Sequence, residues 1–257
     1  MLGVDASGEA VMNTGSRRTP GWPYAAAGVV AVAVGGAVLA LAGGRAPGVP
    51  VARAPAAAAA EEPLLWPFAT VADAERWQQS HQAGGHSPWH LDAEATALAF
   101  TTGYLAFTEV DQVVTSAETG ARATVTVGYR GAGPRPAPAA VVTLVRLGDG
   151  AGAPWEVVGA TADSLTLTAR GTTSPLRVEG TVSGVDESIR VQVRDPAVDA
   201  PLGEACCTPA GGSATPWAAS VAFAGAAGPT LTVIASTGGH ASAVARFAVT
   251  GVHNGSR

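Results

Sequence analysis

The chain has 257 residues, only 14% of them charged, and a formal net charge of −5. All 15 basic residues are Arg, and apart from Arg17-Arg18 they are scattered. No basic stripe is available to displace counterions from phosphates, which excludes a nucleic-acid surface. Ala, Gly and Val dominate, so Ala is discounted wherever apolar periodicity is read.

Residues 1–23 form a polar leader, expected to be cytoplasmic. From Tyr24 to Ala42 the sequence YAAAGVVAVAVGGAVLALA carries no charge. As a helix this run spans about 28 Å, close to the thickness of a bilayer core. Arg17-Arg18 before it, with Trp22 and Tyr24 at the near interface, suit an N-terminus-inside orientation; Arg45 and Arg53 beyond it weaken that charge asymmetry. The expectation is a single-pass anchor with the bulk of the chain outside the cytoplasm. A cleavable signal peptide is the alternative, because Ala40-Leu41-Ala42 forms an A-x-A site. Ala27, Ala31 and Gly35 make a small-residue row of the kind that packs two membrane helices. Residues 43–63, rich in Pro, Ala and Gly, read as a tether.

Residues 64–163 read as an α+β domain. Thr70 and Asp73 predict a capped start for a short helix, VADAERWQQSHQ. Asp92 caps a second helix over 92–107, with Leu91, Ala95, Leu98, Thr102 and Leu105 as its apolar stripe. Three strands follow, at 122–130, 139–147 and 155–162, with Gly148-Asp149-Gly150 as a hairpin turn. Two helices followed by a meander resemble the NTF2-like cone fold, which implies a pocket between the second helix and the strands.

Residues 164–257 read as an antiparallel β-sandwich, from strands at 164–169, 175–182, 188–195, 217–224, 230–237 and 245–252. Ile189, Val191 and Val193 point to a core, while Arg190, Gln192 and Arg194 face water. The segments TTSPLRVEGTVSG (172–184), SIRVQVRD, PWAASVAFAG and TLTVIASTGG resemble the immunoglobulin-like domain of bacterial spore germination proteins. Ser174-Pro175 and Gly180 are its most specific positions, and the match covers about 164–252. It implies an accessory, extracytoplasmic interaction domain with no catalytic residues to carry over.

Cys206 and Cys207 are the only cysteines and are expected in a loop. Two free thiols are the favoured reading, with a vicinal or intermolecular bridge as the alternative. Redox or metal chemistry would need a thiolate-stabilising environment, which the flanking sequence lacks. His81, His86 and His90, with Asp92 and Glu94 close behind, are ligand-type residues, but their spacing fixes no tetrahedron; no metal or cofactor is assigned. Of the tryptophans beyond the apolar run, Trp77, Trp155 and Trp217 are expected in cores. Trp66 and Trp89, next to Pro67 and Pro88, are expected at the surface, where aromatic faces can stack on envelope glycans. No nucleophile elbow, P-loop, zincin or dinucleotide motif occurs, so no catalytic residue is assigned. The expectation is a non-enzymatic envelope protein that binds another envelope protein or a cell-wall polymer. The alternative is an NTF2-like pocket for a small molecule or a reaction.

Overall fold

The computed structural model describes residues 62–148, 150, 152–239 and 242–255. The leader, the apolar run Tyr24–Ala42 and nearly all of the tether lie outside them. Among the described residues, no helix is long and apolar enough to cross a membrane.

Helix α1 (Val71–Gly84) starts where the sequence placed its cap: the Asp73 amide donates to Thr70 Oγ1 at 3.2 Å, and that hydroxyl donates to the Asp73 carboxylate. It ends at Gly85, whose φ of 68° and whose N–H bond to the His81 carbonyl form a left-handed cap. A 3-10 turn (Pro88–Leu91) leads to α2 (Ala93–Ala99), capped by Asp92 through the Ala95 amide at 2.9 Å. The chain then makes a π turn, Phe100–Tyr104. The inward face is Ala93, Ala97, Phe100 and Tyr104, not the expected stripe, of which only Leu105 is fully buried. Discounting Ala caused the error. The small Ala93 and Ala97 let the helix sit close to the sheet, and the large side chains follow one turn later.

The strands are antiparallel and form one sheet in the order β1-β2-β3-β4-β9-β8-β6-β5, with β7 also paired to β6. β2 (Arg122–Tyr129), β3 (Ala137–Arg146) and β4 (Trp155–Thr161) match the expected meander, and β2 alternates as predicted, with Val125 and Val127 buried. β1 (Gln112–Thr119) was not anticipated. It is an edge strand with exposed residues along most of its length, so it has no apolar period to reveal it.

β4 meets β9 (Arg246–His253) at Ala160 and Val249, which joins the two halves of the chain in one sheet. β8 (Thr230–Gly238) lies beside β9 and has both faces covered. Ile234 packs in a cluster with Phe247, Val249, Phe100, Trp155 and Val157. Leu231, Val233 and Ala235 belong to a second cluster with Ile189, Val191, Val193, Leu176 and Trp217. Alternate residues of one strand thus serve two cores, as the two-residue repeat of a pleated strand requires.

The expected strands at 175–182 and 188–195 are one strand, β6 (Leu176–Arg194), and 217–224 is the end of an equally long β7 (Gly203–Val221). The intervening Ser-Gly-Val-Asp-Glu was read as a turn; the ribbon instead continues through register shifts at Val182/Gly184 and Gly184/Glu187. Those shifts change the strand's parity. Leu176, Val178 and Val182 face the core before them, and Ile189, Val191 and Val193 after them. In the run 164–169 the regular strand is short, β5 (Thr168–Arg170) paired to β6, preceded by an isolated bridge from Leu165 to Val182. Gly180 lies opposite Trp217, and a Cβ there would meet the Thr166 carbonyl oxygen at 1.9 Å and the indole nitrogen at 2.9 Å. Glycine is required at this close approach.

Candidate functional site: two clefts beside Tyr104 and Arg194

The region between α2 and the meander, where an NTF2-like pocket would lie, is filled by Phe100, Leu105, Val125, Val142, Leu144 and Trp155. Clefts open elsewhere among the described residues, two of them beside Tyr104 and Arg194.

The first, of about 600 Å³, is lined on one side by Trp66 and Trp89 and on the other by Pro196, Val198 and Asp199, with Thr102, Gly103 and Tyr104 between. Trp66 and Trp89 are half-buried and stack with ring centroids 5.2 Å apart; Trp66 also stacks on Tyr104 at 6.0 Å. Trp89 lies against His90 at 3.7 Å. The two tryptophans expected at the surface therefore form one aromatic shelf. Trp155 and Trp217 are buried in the cores, and Trp77 packs on Phe68.

Each wall of this cleft is tied to a buried carboxyl. Trp66 bridges Val157, whose amide donates to the Trp66 carbonyl at 2.8 Å while the Leu65 amide donates to the Val157 carbonyl at 3.0 Å, and the Phe68 amide donates to Glu156 Oε2 at 3.0 Å. Glu156 is fully buried and its Oε1 has no partner. Burial holds its carboxyl well above the usual range; the amides of Phe68, Trp66 and Leu65 oppose that shift without cancelling it. The opposite wall begins at Asp195, also fully buried. Its carboxylate accepts from the Ala197, Ala227 and Gly228 amides at 2.9, 2.8 and 2.7 Å. Burial pushes Asp195 up, but the Gly228, Ala197 and Ala227 amides together outweigh it, and the group lies below the ordinary aspartate value.

The histidines do not converge. His81 Nδ1 is 2.6 Å from the His86 carbonyl, whereas His90 is buried among Phe68, Trp77 and Trp89 with Nδ1 unpartnered. Burial, then the charge of His81, lowers His90 to about 4. Asp92 caps α2, and Glu94 bonds Ser116. Among the described residues, no three metal-ligand side chains meet.

The second cleft, of about 500 Å³, lies on the outward face of β6 and includes Arg190, Gln192, Arg194, Ser236 and the Cys206–Cys207 pair. The cysteines are disulfide-bonded to each other, which corrects the free-thiol reading, and they sit on strand β7, not in a loop. They occupy a bulge: β7 pairs Thr208 with Ile189 and Ala205 with Val191, leaving two cysteines opposite Arg190 alone. Both are exposed. Nothing in the flanking sequence signalled this, because the bulge depends on the pairing register with β6.

The chain matches no protein-family model, no curated protein and no solved structure.

Proposed function

We propose that this chain is an envelope-anchored binding protein whose sheet-rich part, outside the cytoplasm, engages a cell-wall glycan along the Trp66–Trp89 shelf. The uncharged run Tyr24–Ala42 supports the anchor. The disulfide supports an oxidising compartment, since cytosolic thiols are kept reduced. The resemblance of 164–252 to the immunoglobulin-like domain of spore germination proteins supports an accessory, sandwich-type interaction role and not a catalytic one.

The observation that carries the glycan reading is the pair of stacked, half-buried indoles in an open cleft. Aromatic faces supply rigid apolar area for the C–H faces of sugar rings, while Thr102 and Asp199 are placed in the same cleft to take hydroxyls. The packed apolar interior under α2 removes the space the small-molecule alternative relied on.

Co-sedimentation of residues 55–257 with purified cell-wall sacculi tests the binding. The wild-type protein should pellet with the wall, and Trp89→Ala should pellet about tenfold less at limiting wall concentration. Failure of the wild type to pellet would reject the glycan partner. Protease digestion of intact cells tests the address: the C-terminal bulk should be cut from outside.

A further inference from the structure

We infer that the second cleft is a binding site for a small acidic ligand, a carboxylate on a compact apolar body, with Arg194 as its recognition cation and the Cys206–Cys207 disulfide as part of its wall. The inference rests on where the charges in this cleft are spent. Arg190 donates to Glu204 Oε1 at 2.9 Å and Gln192 to Glu204 Oε2 at 2.9 Å, so Arg190 is matched within the fold.

Arg194 is not. It is 5% exposed, it lines the cleft, and its Nε has no hydrogen-bond partner. One Nη donates to the Asp199 carbonyl at 3.0 Å, and the guanidinium lies 5.8 Å from the Tyr104 ring centre. Among the described residues, no carboxylate stands within ion-pairing distance of it. The adjacent Asp195 carboxylate is turned to the amides of 197, 227 and 228. Glu204 attracts the Arg194 charge from a distance, but both its oxygens are bonded to Arg190 and Gln192. A buried guanidinium with an unused donor and no ion-pair partner is costly to the fold, and an anion entering the cleft repays that cost.

The rest of the cleft sets the class of ligand. Leu105, Phe107 and Val244 give it apolar surface, and the exposed disulfide adds two polarisable sulfurs. A carboxylate presents two oxygens to the planar guanidinium, and the apolar body rests on this wall. The site is distinct from the aromatic cleft. Tyr104, the last residue of the π turn, lines that cleft, and Leu105, its cap, lines this one.

The test is a ligand-observed NMR titration of the purified full-length chain with benzoate and its neutral isostere benzamide. Benzoate should bind at least about tenfold more tightly, the worth of one charge-assisted hydrogen bond. Arg194→Gln should abolish that preference, whereas Arg177→Gln, which removes an exposed charge outside the cleft, should keep it. Equal binding of the two probes to the wild type, or no binding of benzoate, would overturn the proposal even if Arg194→Gln fails to fold. Retention of the preference in Arg194→Gln would overturn the assignment of the cation. Reduction with a phosphine should weaken benzoate about threefold through loss of the fixed wall; an unchanged affinity would remove the disulfide from the site.

Discussion

The two walls of the aromatic cleft are each secured by a fully buried carboxyl, yet the two carboxyls are shifted in opposite directions. Asp195 receives three amide hydrogens on its two oxygens, which together hold it below the ordinary aspartate value. At Glu156 the Phe68 amide donates to Oε2 at 3.0 Å, the Trp66 and Leu65 amides add to it, and Oε1 has no partner, so burial prevails and holds the carboxyl above its usual range. Burial alone therefore does not decide the charge of a buried acid. The balance between desolvation and the hydrogen bonds the backbone delivers does. The wall held by Asp195 is a turn locked to the 227–228 loop; the wall held by Glu156 is an extended segment laid along β4.

The largest way to break the comparison is Asp195→Ala. It leaves three buried amides without an acceptor, and urea unfolding should show a loss of about 4 kcal/mol. A loss below about 1 kcal/mol would mean that the carboxylate does not secure this wall. The pH dependence follows from the lowered value. The contribution of Asp195 is present above the ordinary aspartate value of 3.8 and is lost as pH falls through the still lower folded value. The variant should lack that acid-side loss.

Glu156→Gln reverses the sign. The folded value is raised, so the contribution of Glu156 is complete below the ordinary 4.5 and is lost as pH rises through the folded value. Gln cannot ionise, so the variant should gain stability over the wild type as pH rises above 4.5 and little at pH 4, by urea unfolding at pH 4 and at higher pH. A gain independent of pH would contradict the raised Glu156 carboxyl. The smallest effect is expected from Tyr104→Phe. It removes the buried hydrogen bond from Tyr104 to Thr232 Oγ1 at 3.0 Å and should cost about 1 kcal/mol in the same assay.

What the sequence disclosed followed the reach of each interaction. The Thr70 and Asp92 caps and the alternation of β2 are local, and they were read correctly from neighbouring residues. Surface placement of Trp66 and Trp89 was legible from the adjoining prolines, but their stacking was not, since it needs the 3-10 turn at Pro88–Leu91 to bring distant segments together. β6 and β7 were misdivided because Gly184 and its polar neighbours look like a turn, while the partner strand that keeps the ribbon going lies some 30 residues away. Both buried carboxyls passed unnoticed. Glu156 follows Trp155 in a strand whose both faces are covered, and Asp195 closes a strand where a surface turn was the natural reading.

The central claim is that the cleft between these walls binds wall glycan through its indoles. Isothermal titration of residues 55–257 with soluble cell-wall glycan fragments, alongside Trp89→Ala, tests it most directly. Saturable heat with the wild type and affinity at least about tenfold weaker in Trp89→Ala is the predicted result. No heat with the wild type, or equal affinity in the variant, would contradict it.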